Sequence, residues 1–145
     1  MSDWRCLEGT PRDISAHLSK FLNKGYELHV GCDSHQYSDY TRLVSVICLR
    51  KGPTGVITFR AVHNEKPSSS IYLKLQREVL QALEIAQLVG DAGFENITVH
   101  LDINPDDKYI SNKFYKEFVN MVKGCGYKCI TKPDAFAASI ADMFT

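Results

Sequence analysis

Three aspartates stand where an extended run gives way to a loop or where a helix opens: Asp33 in VGCDSHQ, Asp102 in VHLDIN and Asp134 in KPDAF. Carboxylates crowded together repel one another and resist ionisation, so a fold that gathers several of them is usually one that holds a cation. Oxygen-only ligation favours a hard ion, Mg²⁺ or Mn²⁺, over zinc. Two such ions about 4 Å apart activate water and steady the leaving oxygen in phosphodiester cleavage. That chemistry needs at least one further acid. Glu78 is the best candidate, because it lies inside a long helical stretch among mostly apolar neighbours. Glu84 and Asp142 are alternatives, and Asp142, eight residues beyond Asp134, shares a helical face with it. Each acid also has an ordinary reading: Asp134 as an N-cap, Asp33 as a turn residue, Glu78 as a surface residue. The signal is their coincidence.

Other polar residues fall around these acids. His29 shares a strand face with Asp33, and His100 with Asp102; an imidazole there can shuttle a proton or be a satisfied structural side chain. Ser34, His35, Asn104 and Lys132 are candidates for touching substrate, and Asn112 for binding phosphate or ordering water. From Lys108 to Lys132 the balance tilts basic, through Lys113, Lys116, Lys123 and Lys128 as well, which suits either a phosphate-tracking patch or a solvated helix face. Tyr37, Tyr40, Tyr109 and Tyr115 have the rings to stack on bases.

The elements that must position these residues follow from hydrophobic period. Residues 10–25 form an N-terminal amphipathic helix, with Thr10 as cap, Pro11 in the first turn and Gly25 as the stop. Residues 27–35, 40–50 and 56–63 are three strands on short connections, an antiparallel meander. The second is apolar on both faces, so helices must cover the sheet. Residues 68–93 form the longest helix, capped by Ser69 or Ser70. Strand four covers 96–104. A helix capped by Ser111 covers 111–124, strand five 127–131, and the last helix opens at Pro133 and Asp134. Strands one, four and five can be parallel, since helices supply the crossovers. Their carboxyl ends, the usual ligand edge of an α/β sheet, then carry all three aspartates. Strand three is the expected open edge, where a second copy could pair to give a homodimer.

Bulk properties bound this reading. One domain of 145 residues is expected, of ordinary globular composition at 44% hydrophobic and 23% charged. Lys plus Arg and Asp plus Glu are 17 each, so phosphate binding would need a local patch. Five cysteines without a Cys-x-x-Cys pair suggest buried thiols in a reducing, cytoplasmic setting. Cys125 and Cys129 make only a weak zinc pair. No stretch approaches a membrane span.

The segments GCDSHQ (31–36), VHLDIN (99–104) and KPDAFAASIAD (132–142) resemble the YkuK-type ribonuclease H-like proteins. That family typically has a Gly-Thr-Asp-Ser-Gln stretch in its first strand and a Lys-Pro-Asp-Ala…Ala-Ser…Ala-Asp ending. The resemblance runs from about residue 26 to the end; Cys32 here replaces the threonine, and His35 stands between Ser34 and Gln36. It implies an α/β fold with a mixed five-stranded sheet in the order 3-2-1-4-5 and helices on both faces. It places the superfamily's four acids at Asp33, Glu78, Asp102 and Asp134. It also implies a Mg²⁺- or Mn²⁺-dependent nuclease acting on RNA, DNA or a hybrid. The alternative is a non-catalytic module that binds nucleic acid or a protein. A small-molecule phosphoesterase is a third reading.

Overall fold

The computed structural model describes residues 4–6, 13–53, 55–106 and 110–145. Strand β1 (Arg5–Cys6) is followed by helix α1 (Ile14–Ser19) and by β2 (Glu27–Gln36), β3 (Thr41–Arg50) and β4 (Val56–Glu65). Then come α2 (Ile71–Asp91), β5 (Ile97–His100), a 3-10 turn (Ile110–Phe114), α3 (Tyr115–Gly124), β6 (Lys128–Ile130) and α4 (Phe136–Asp142). The strands form one mixed sheet in the order β1-β4-β3-β2-β5-β6. The expected meander is β2–β3–β4, and β5 and β6 lie parallel to β2.

The five-stranded expectation is corrected to six strands. The addition is β1, whose Arg5 and Cys6 pair with Arg60 and Phe59 of β4. Two residues carry too short a pattern to read as a strand from sequence. Strand β4 is therefore not a bare edge; β1 covers its middle.

Element boundaries shift in three places that matter. The first helix is short, with Asp13 as its N-cap accepting from the Ala16 N–H; Thr10 and Pro11 lie outside the described residues. Strand β2 runs past Asp33 to Gln36, so Asp33 sits within the strand opposite Val44 rather than at its end. Strand β5 stops at His100, so Asp102 belongs to the segment beyond it. That segment stays tied to β6, through Leu101 N–H to Ile130 O and Lys132 N–H to Ile103 O. The long helix is capped by Ser70, whose Oγ accepts from the Leu73 N–H at 3.1 Å. Helix α3 begins after the 3-10 turn, at Tyr115, with no side-chain cap.

Helices cover both faces, as the doubly apolar β3 requires. On one face α1, α2 and α3 bury Leu18, Val79, Ala82, Ala86, Phe118 and Val122 against Val30, Cys32 and Ile47. On the other, α4 packs Ala137 and Ala141 against Val44, Val46 and Cys48. Gly31 sets how close α4 can come. A Cβ there would lie 2.6 Å from the Ala137 carbonyl carbon and 2.7 Å from the Ala138 nitrogen. Those are backbone atoms, so no rotamer change relieves the overlap.

Gly31→Ala should therefore lift α4 and lower stability by about 1–3 kcal/mol, the usual range for overpacking. Urea denaturation of the purified variant measures it; stability equal to wild type would show that α4 does not rest on this contact.

Candidate functional site

The pairing of β2 with β5 ends at Gly31 and His100, while β2 itself continues to Gln36. Beyond that point, among the described residues, β2 has no strand partner on its β5 side, and residues from the two faces of the sheet can meet around it. By alternation Cys32 and Ser34 point toward α2, and Gly31 and Asp33 toward α4. The candidate site gathers at this split.

From the α2 side comes Glu78, buried in the second turn of the helix. Its Oε2 accepts from the Ser34 hydroxyl at 2.6 Å and from the Lys74 ammonium at 2.7 Å. Lys74 lies one turn earlier and also reaches Asp33, Nζ to Oδ1 4.0 Å. From the α4 side come Asp33 and Asp142, close enough that Asp142 helps to raise the Asp33 carboxyl. Asp102 faces the same group, and its Oδ1 takes the Lys132 ammonium at 2.8 Å. Burial divides the cluster. Asp33 and Glu78 are 4% and 3% exposed, whereas Asp142 is exposed and Asp102 partly so. The cluster has a closed floor and an open rim.

The charges follow from that shape. Desolvation, then the neighbouring Glu78, Asp142 and Asp102, push the Asp33 carboxyl up to about 9, against the pull of Lys74. Burial also raises Glu78, although Lys74 and the Ser34 hydroxyl favour its ionised form. Burial works against the Lys74 ammonium, but Glu78, Asp33 and Asp102 outweigh it and its pKa is raised.

Three of the four acids read from the sequence, Asp33, Glu78 and Asp102, meet here. Asp134 stands exposed in the turn before α4, with its N–H on Thr131 O, and takes no part in the interactions that join the others. It is not the N-cap; that position is Ala135. Asp142, at the far end of α4, stands beside Asp33 instead. Glu84 is on the exposed face of α2, lining a groove with Leu80, Gln87, Cys125 and Tyr127. Sequence reasoning missed Lys74. Its signal was the four-residue spacing to Glu78 on one helix face.

The other candidates find different surroundings. Ser34 is buried with its hydroxyl on Glu78. His35 is exposed and packs edge-on against Tyr37, which stacks on Tyr40 with centroids 5.0 Å apart. The Tyr37 hydroxyl donates to Thr145 O and Arg42 Nε to Phe144 O, so this hairpin grips the chain just past α4. Asn104 Oδ1 accepts from the Asp106 N–H, and Asn112 donates to Pro105 O. Lys108 and Tyr109 lie outside the described residues.

His29 and His100 lie beneath α4, with Nδ1 and Nε2 2.8 Å apart. His100 Nδ1 accepts from the Ala137 N–H. Neutral tautomers complete the chain: His100 Nε2–H donates to His29, and His29 Nε2–H to Glu27. Burial, reinforced by His29, pushes His100 down to about 3; burial also lowers His29, against the pull of Glu27. The pair ties β2 and β5 to the start of α4. All five cysteines are free, and Cys32 and Cys48 are buried. Among the described residues no helix is long and apolar enough to cross a membrane.

A mixed sheet of this topology, with carboxylates at the β2–β5 split, is the architecture of ribonuclease H-like proteins. The sequence profile of the family described as "Ribonuclease H-like" matches residues 10–145, and the chain belongs to that family. It is similar to the protein named "Uncharacterized protein YkuK" of Bacillus subtilis (strain 168), 28% identical over 94% of this chain and 91% of the relative. The YkuK-type resemblance therefore extends over almost the whole chain. Among solved structures, the RNase H1 of the halophilic archaeon Halobacterium salinarum NRC-1 aligns with a TM-score of 0.44 and 15% identity, covering 82% of this chain and 99% of that one.

The raised Asp33 carboxyl makes a signed prediction for metal-free protein. Its folded pKa of about 9 lies above the unfolded value of about 3.9, so the folded state binds the extra proton between the two. Its stabilising contribution is complete below about pH 4 and is lost as pH rises toward 9. Asp33→Asn should thus gain stability relative to wild type as the pH rises from 5 to 8, in urea unfolding with a chelator present. A variant equally destabilised at both pH values would mean that Asp33 is ionised and paired.

Proposed function

We propose that the protein is a divalent-metal-dependent nuclease that hydrolyses phosphodiester bonds. The observation that carries this reading is the convergence of Asp33, Glu78, Asp102 and Asp142 at the β2–β5 split of a ribonuclease H-like domain. The donor set is made of carboxylate oxygens, which suits Mg²⁺ or Mn²⁺. With the Asp33 and Glu78 carboxyls both raised, the cluster favours positive charge, which Lys74 supplies at the floor and a hard cation would supply at the rim. Among the described residues no three acids, histidines or cysteines are spaced to close on one ion, and two lysines stand against the oxygens instead. The donors fit in kind, and binding requires them to turn from ammonium to ion.

Asp33, Asp102 and Asp142 would hold the ion from the α4 side, with Glu78 on the opposite side of the split. A bound ion would activate water and stabilise negative charge developing on the phosphodiester. The chain's own residues set its position. Ser34 fixes the Glu78 carboxylate, Gly31 lets α4 bring Asp142 down, and the C-terminal grip of Tyr37 and Arg42 keeps it there. Lys132, half-exposed at the rim, can move from Asp102 to a substrate phosphate. His35 and the Tyr37–Tyr40 stack lie close along the chain from Asp33 and offer rings to a base.

A second reading has its own support: Lys74 and Lys132 already counter two of the acids, as in a module that binds nucleic acid without cutting it. One panel separates the two. Single-stranded RNA, single-stranded DNA and an RNA–DNA hybrid are incubated with Mn²⁺ or Mg²⁺, and retained binding is scored in parallel. Cleavage should appear with metal and vanish with chelator. Asp102→Asn and Asp142→Asn should each lose more than the roughly 10–100-fold that an outer-sphere partner of a metal costs, while Asp134→Asn stays near wild type. Binding without cleavage would support the module, and loss on Asp134→Asn alone would return the fourth place to that residue.

A further inference from the structure

Lys74 is the one member of the cluster that neither the family's acids nor the sequence motifs account for. Its ammonium touches Glu78 Oε2 at 2.7 Å and lies 4.0 Å from Asp33 Oδ1. It therefore occupies the space between the two most buried carboxylates. An exposed pair at this helical spacing contributes little. This one differs because both acids are almost wholly buried and the lysine side chain is itself only 29% exposed. Removing one partner of a buried pair leaves an uncompensated charge, at a cost far above that of a surface pair. Lys132, the other ammonium, has a side chain 48% exposed and pairs with the more open Asp102, so it can swing into solvent. Lys74 stands one helical turn before Glu78, and its side chain is less exposed.

We propose that Lys74 is a tethered resident cation that fills the Asp33–Glu78 side of the cluster, so that the centre takes up one divalent ion rather than two. This rests on the metal reading above and deepens it. A centre with two ions about 4 Å apart needs space for both. Here an ammonium already stands on one side, and only the rim formed by Asp102, Asp142 and the outer face of Asp33 is left. Lys74 thus acts as a positioning residue: it keeps the Glu78 carboxylate in place and sets how many ions the site admits.

The test is calorimetric titration of the full chain with Mn²⁺, with bound ions counted independently from the free Mn²⁺ signal in electron paramagnetic resonance. Wild type should take one ion per chain, and Asp102→Asn should take none at the same concentrations. Lys74→Met should take two. Should that variant fail to fold, Lys74→Gln keeps a donor for Glu78 without the charge and should also take two, while Lys74→Arg should stay at one. Two ions in wild type, or one ion at unchanged affinity in the neutral variants, would leave the metal centre standing and overturn the role of Lys74. No ion in wild type or in any Lys74 variant would remove the metal reading and this inference with it. No ion in wild type but uptake in the neutral variants would overturn the count of one, because the lysine would then be excluding the ion altogether.

Discussion

Everything in the candidate site depends on where the β2–β5 ladder stops. In a continuous sheet Asp33 and Glu78 would be held on opposite faces, separated by the backbone. The parallel pairing ends at Gly31 and His100, two residues before Asp33, so the sheet opens just where the acids fall. A side chain from α2 and one from β2 can then share a single ammonium. The same opening leaves Asp102 on a segment that has left the β2 ladder but remains tied to β6.

The opening is braced on both sides. Above it, α4 lies against bare backbone at Gly31 and is tied down by the His100 ring accepting from Ala137. A neutral imidazole serves there because burial makes the charged form costly. Below it, α2 presents Leu75, Val79 and Ala82 to the core and Glu78 to the split. A carboxylate in that apolar helix face is stable only with partners, and Ser34 and Lys74 supply them. The floor of the site is thus part of the hydrophobic core in position and part of the polar surface in chemistry.

That arrangement explains the contrast between the two lysines. At the floor, charge is poorly screened and the Lys74 ammonium beside the Glu78 carboxylate and the Asp33 carboxyl is strongly held. At the rim, water and salt screen the Lys132–Asp102 pair, which makes it easier to break. The burial gradient across some few residues gives the cluster a fixed half and a mobile half.

Much of the fold was legible from the chain alone. The hydrophobic periods located α2, the meander and the two later strands, because apolar stripes at those spacings have few other ways to be buried. The motif GCDSHQ marked Asp33, and an acid inside an apolar helix marked Glu78. Other features were settled only by tertiary packing. Strand β1 is two residues long and exists because β4 offers it an edge. Lys74 is an ordinary surface-type residue in sequence; its role appears when Asp33 is brought within reach. Which of Asp134 and Asp142 stands beside Asp33 depends on the path of α4. Both fit a helical acid by spacing, but the helix starts beside His100 and ends beside Asp33, so its last residue reaches the cluster. Local pattern determined which elements form and which residues are unusual within them, since both depend on near neighbours in the chain. Which acids share a cation depended on the contact of Gly31 with α4 and on the end of one ladder, which no local pattern encodes.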